Sequence, residues 1–260
     1  MWPVRQRVTV AEAQRIPATV YLAGETIVCL SRSRWDEELV SNRYHTLTRF
    51  ARRNRVLVFE APFELATLAR PSAAKLRALA TALAGWRRRG SRLWVARPIT
   101  WWEGEGGGPF WRLNQALCAP YVRWALRGAG VAQPILWLYD HRRWPLLDAL
   151  PHRLACYHCT EDYAGLAGRA GGPALAERVA RQEAELLRRV DLVFAVSPTL
   201  AADKRGVNPH TVLVPNGVDT ALYRPEHACG PACGIRRRWK CCRPCPACSR
   251  WNPSTTAACA

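Results

Sequence analysis

The segment Cys156 to Tyr163 (CYHCTEDY) sets His158, Glu161 and Asp162 close together, with His158 between two cysteines. An imidazole followed by two carboxylates can exchange a proton, orient a hydroxyl or hydrogen-bond a sugar. Ordinary loop capping uses the same residue types. Cys156-x-x-Cys159 has a spacing that binds zinc or runs dithiol chemistry, but the run is apolar and no second pair of ligands is near, so buried strand thiols are expected and no metal. A second polar group, Arg34, Trp35 and Asp36, follows the apolar run Thr26 to Ser31. A third, Asn216-Gly217, follows Thr211 to Pro215 and is a turn signal in its own right. The stretch GEGGGP at 104–109 ends in proline and does not join a strand to a helix, so a surface loop is expected rather than a phosphate cradle. Neither of the common phosphate-binding glycine fingerprints is present.

These groups stand behind short apolar runs, and the runs alternate with helical patterns. Seven read as strands: 26–31, 55–61, 93–96, 134–139, 154–160, 192–197 and 211–215. Helices are expected from Trp35 to about Arg53, over 72–89, over 110–127 with a bend at Pro120, over 174–190, and briefly from Pro198. Alternating βα units need crossover connections, which makes a mainly parallel sheet covered on both faces: a doubly wound, Rossmann-like α/β domain. Such sheets bind ligands beyond the carboxyl ends of their strands, where the polar groups fall.

The chain has 260 residues and a net charge of +18, from 38 Lys and Arg against 20 Asp and Glu. That balance favours polyanionic partners. Seven of the eleven cysteines lie in 229–260, with six Arg or Lys and no Asp, Glu, Leu or Val. This tail reads like GC-rich coding DNA translated out of frame, and it is expected to be irregular or disordered; a zinc module is the rival reading. The four remaining cysteines form no disulfide framework, which suits a reducing cytoplasm. No apolar stretch is long enough to span a membrane. Two basic, aromatic helical stretches, around Lys75 to Arg89 and Phe110 to Arg127, fit either an anionic membrane face or a solvated surface.

The order ExxLLxxxDLVFAVSP at 183–198, then a strand, PNGVD at 215–219 and ALYRP at 221–225, resembles GT-B glycosyltransferases of a family 4-like kind. RWD at 34–36, ARRNRVLVFEAP at 51–62 and YHCTEDY at 157–163 resemble the amino-terminal half of bacterial members that act on cell-surface polysaccharides. The resemblance implies a leader (1–25), an amino-terminal, acceptor-side Rossmann-like domain (26–225) and the irregular tail (226–260). It implies transfer of a sugar from a nucleotide-sugar donor to a glycan or lipid-linked acceptor, with the donor phosphate able to take the acceptor proton. His158 and Asp162 would then orient the acceptor as catalytic residues; Arg34, Trp35, Asp36, Glu161 and Asn216 would bind substrate. No cofactor is implied. The donor-side domain is not recognised after ALYRP, so a truncated, inactive chain is expected. The site of action would be cytoplasmic, with peripheral contact at the inner face of the plasma membrane, and no specific nucleic acid is expected. The alternative of another class is a basic nucleic-acid-binding protein whose Cys-rich tail is held by zinc.

Overall fold

In the computed structural model, residues 22–31, 33–35, 41–101 and 111–217 are described. Asp36, the glycine-rich loop at 104–109 and the cysteine-rich tail lie outside them. In chain order the elements are β1 (Thr26–Leu30), α1 (Asn42–Phe50), β2 (Arg55–Phe59), β3 (Phe63–Glu64), α2 (Ala73–Leu83), β4 (Arg87–Arg88), β5 (Leu93–Ala96) and β6 (Ile99–Thr100). Then come α3 (Trp111–Gly128), β7 (Ile135–Leu138), α4 (Trp144–Ala149), β8 (Leu154–Cys159), α5 (Tyr163–Leu187), β9 (Leu192–Ala195), α6 (Pro198–Arg205) and β10 (Thr211–Leu213).

All seven expected strands form, and they hydrogen-bond in the order β10-β9-β8-β7-β1-β2-β5, every neighbour parallel. The order reverses between β1 and β7: later strands build outward from β7, while β2 and β5 build outward from β1. This is the Rossmann-like arrangement with its switch point beside β1. Short β4 adds antiparallel to the β5 edge, and β3 pairs with β6 as a separate two-stranded sheet.

Side chains alternate across the strands, so one sheet faces two cores. Val28, Leu57, Leu136, Tyr157 and Cys159 meet α3, α4 and α5 on one face; Ile27, Cys29, Val56, Trp137 and Cys156 meet Leu47 of α1 and Trp35 on the other. Burying a Leu or Ile side chain contributes about 1.5–3 kcal/mol, so the two faces together make the sheet the stable centre of this fold.

α1 begins at Asn42, where the Ser41 hydroxyl accepts from Tyr44 N; the first turn expected after Trp35 lies outside the described residues. Two other helices differ from expectation. The helix expected over 72–89 stops at Leu83 because Gly85 takes φ +72°, and Arg87 and Arg88 turn back as an edge strand. α5 starts eleven residues earlier than the expected 174 and is broken by Gly171 and by Gly172, whose φ is +77°. Pro173 then opens its second half, a position where a missing N–H costs nothing. The chain divides into two compact units between Pro215 and Asn216.

Candidate functional site

At the switch point the loops after β1 and β7 leave toward opposite faces, and the residues at these strand ends are buried and charged. Glu60, one residue past β2, accepts from the backbone N–H of Trp35 at 2.7 Å and from Arg87 at 2.7 Å, while Arg97 lies 3.1 Å away. A single carboxylate thereby clasps the β1–α1 loop to the ends of β2 and β5. Asp140, past β7, receives two bonds from the Arg142 guanidinium at 3.0 Å each and pairs with Arg143 at 3.3 Å. Arg143 also donates to Gln115 of α3 at 3.0 Å. Burial alone would raise the Asp140 pKa, but the two guanidinium charges outweigh it and hold the carboxyl well below the usual carboxylate range. Leaving either carboxylate's partners unpaired here would cost about 3–5 kcal/mol.

A narrow cavity opens among these groups, lined by Ser31, Glu60, Pro98, Cys118 and Arg143 with Leu30, Phe59, Val122 and Leu146. It contains the start of the β1 loop but none of His158, Glu161 or Asp162. Strand periodicity is the reason: the cavity lies on the α3 face, whereas His158 points to the α1 face.

His158 is 5% exposed and its Nδ1 lies 3.0 Å from the Tyr139 hydroxyl. Trp137, Tyr139 and Phe194 surround the ring, and Nε2 has no hydrogen-bond partner among the described residues. Burial disfavours the charged ring and brings its pKa down to about 4, so the imidazole is neutral at pH 7. Asp162 is exposed and caps α5, its Oδ1 accepting from Gly165 N at 2.9 Å. A Cβ on Gly165 would lie 2.0 Å from that carboxylate, so a side chain there would displace the capping oxygen. Glu161 is exposed beside it. Arg34 is exposed, with its carbonyl accepting from Arg43 at 2.6 Å. Trp35 is turned inward, its ring 5.3 Å from Tyr44 and beneath the Arg43 guanidinium. Asn216 is exposed and is the first residue of the second unit.

Arg34 thus follows β1, and Glu161 and Asp162 follow β8, at the carboxyl edge of the sheet, with β7 between those two strands. Cys156 and Cys159 belong to opposite cores, so they cannot share a metal, and burial pushes both thiols up to about 12. Among the described residues no group of His, Cys, Asp and Glu is arranged to hold a metal ion. Sequence reasoning missed Glu60, Arg97, Asp140 and Arg143. For Glu60, Arg97 and Asp140 the signal was a charge within two residues of the end of an apolar strand; Arg143 follows in the turn after β7.

Behind the edge, Glu183 of α5 is buried, accepting from Tyr157 Oη at 2.7 Å and from Lys204 Nζ at 2.8 Å. This ties β8, α5 and α6 into one block. Glu183 and Asp191 are the acidic positions of the ExxLLxxxDLVFAVSP motif, and the Asp191 carboxylate accepts from Ala155 N at 2.8 Å. Both serve to lock the fold.

No known protein family matches the chain, and no curated protein does. Solved structures do. Sucrose-phosphate synthase from Thermosynechococcus elongatus aligns with a TM-score of 0.52 and 12% identity, over 76% of this chain and 49% of that one. The catalytic domain of starch synthase IV from Arabidopsis thaliana gives 0.46 and 13%, over 80% and 54%. The alpha,alpha-trehalose 6-phosphate synthase from Burkholderia multivorans gives 0.41 and 10%, over 70% and 42%. The chain spans about half the length of these structures. Its fold is therefore the Rossmann-like, mainly parallel α/β sheet of GT-B glycosyltransferases.

Proposed function

We propose that residues 26–225 form the acceptor side of a family 4-like glycosyltransferase that moves a sugar, of hexosyl type, from a nucleotide-sugar donor to a cell-surface glycan or lipid-linked acceptor. One observation carries the reading: a GT-B-like sheet whose carboxyl edge presents exposed Arg34 after β1 and exposed Glu161 and Asp162 after β8, with the buried ion pairs of Glu60 and Asp140 at the ends of β2 and β7. Exposed carboxylates and a guanidinium suit sugar hydroxyls, while the Glu60 clasp keeps the Arg34 loop in place. Trp35 acts through that loop, with its N–H on Glu60. His158, neutral and bonded to Tyr139, orients the rim of the site and needs no proton of its own. Asp36 and Asn216 belong to the proposed substrate set on the sequence resemblance alone. The proposed place of work is the cytoplasmic face of the plasma membrane; among the described residues no helix is long and apolar enough to cross a membrane.

Titrating the 260-residue chain calorimetrically with a panel of oligosaccharide acceptors tests this reading. Asn caps a helix about as well as Asp, so Asp162→Asn should leave the urea midpoint unchanged while weakening the best acceptor about tenfold. Asp162→Ala should lose the same affinity and also about 1 kcal/mol of stability. Arg34→Ala should weaken the acceptor without changing stability. No glycan binding, or full affinity in both Arg34→Ala and Asp162→Asn, would overturn the assignment.

A further inference from the structure

α3 has two apolar faces. One packs on the sheet through Cys118, Ala119, Val122, Ala125 and Leu126. The other follows Leu113, Leu117, Pro120 and Trp124, whose spacings of three and four residues hold them on one stripe, and it leaves 56% of Leu113, 52% of Leu117 and 66% of Trp124 exposed. A surface helix needs one apolar stripe to face its core and is otherwise polar. Among the described residues no element covers the second stripe.

Its surroundings are basic. Arg112, Arg123 and Arg127 are exposed along one flank of the stripe. On the other flank, the chain leaving α2 docks on α3, where the Trp86 indole N–H donates to the Ala125 carbonyl at 3.2 Å. α2 itself is thinly packed: Ala82 is its buried residue, and Leu76 and Leu83 are 54% and 69% exposed. Neither helix contains an acidic residue, and residues 65–102 hold eight Arg or Lys with no Asp or Glu. Among the described residues, acidic groups stand near Arg112, where Glu185 feels its charge and Asp148 pairs with Arg189, and at Arg87, which Glu60 holds.

We propose that this face docks on an anionic lipid surface, with Leu117, Trp124 and Leu83 entering the headgroup–acyl boundary and Arg123 and Arg127 meeting lipid phosphates. Charge and depth together select this occupant. A second copy would set one acid-free face against another, and the tail carries the same sign as the helices. A nucleic acid would match the arginines but gain nothing from a leucine stripe. A bilayer offers anions and apolar depth in one plane, and tryptophan sits well at that boundary. The proposal is independent of sugar transfer, because vesicle binding is read without any sugar present.

The test is cosedimentation of the full chain with vesicles of phosphatidylcholine alone or with 30 mol% phosphatidylglycerol, at about 0.1 M and 0.5 M salt. At the lower salt, binding to the anionic vesicles should exceed binding to the neutral ones at least tenfold, and the higher salt should remove most of it. Arg123→Glu with Arg127→Glu should cost at least tenfold, as should Leu117→Asn with Trp124→Ser. Arg52→Glu with Arg53→Glu, the same charge change beside α1 on the opposite face, should change binding less than threefold. Equal binding to both vesicle types, or equal loss from the two charge-reversed variants, overturns the proposal. So does a dimer in light scattering that Leu117→Asn with Trp124→Ser dissociates, or RNA binding lost with the same substitutions and no vesicle binding.

Discussion

His158 shows how one side chain responds to its environment. Its folded pKa is lowered to about 4 from the ordinary 6.5 because the ring is enclosed by Trp137, Tyr139 and Phe194. The folded state therefore binds a proton less readily than the unfolded chain, so this contribution is complete above pH 6.5 and fades as pH falls toward 4. Between pH 7 and pH 4.5 the expected loss is about 2–3 kcal/mol, read from urea denaturation curves. His158→Gln should flatten that interval. Asp140 responds elsewhere: its lowered pKa stabilises the fold above the ordinary carboxylate value of 3.8 and is lost only below it, outside the tested interval. Identical pH slopes in wild type and His158→Gln would show that the imidazole is not enclosed.

Among the elements, α5 makes the sharpest backbone claim. Gly171-Gly172-Pro173 breaks it, with Gly172 at φ +77°. A Cβ at Gly172 would meet no atom within 4 Å, so substitution there isolates the backbone term from packing. Gly172→Ala should cost about 1–2 kcal/mol in urea denaturation, although alanine ordinarily favours a helix. A neutral or stabilising result would mean the helix runs straight through. The break matters to the site because Asp162 caps the first half of α5, while Glu183, from the second half, holds Tyr157 and Lys204.

For the whole molecule, four cysteines report on the two-faced sheet. Cys29 and Cys156 lie in one core and Cys118 and Cys159 in the other. All four are at most 2% exposed, and burial pushes Cys29, Cys156 and Cys159 up to about 12. A thiol that is both protonated and covered does not alkylate. Iodoacetamide at pH 8 followed by peptide mass mapping should leave these four unmodified in the native chain and modify all four in 8 M urea. Native labelling of Cys156 or Cys159 would show that β8 is not the covered strand found here.

The sequence by itself determined where the strands lie, because runs such as RVLVF and ILWL are local, apolar and bounded by turn-forming or charged residues. It also placed the candidate residues at strand ends, and hence Arg34, Glu161 and Asp162 at the carboxyl edge once the strands were read as parallel. Helix limits were less legible, since Gly85 and Gly172 act through backbone angles that composition does not record. Only the tertiary structure decided which face each strand residue serves, so it alone separated His158 from the cavity beside Ser31 and Cys156 from Cys159. The same holds for the buried charges: Glu60 meets Arg87 across 27 residues, and Arg143 meets Gln115 across 28. Coulombic and hydrogen-bond partners are set by distance in space, and the order of strands in the sheet fixes that distance.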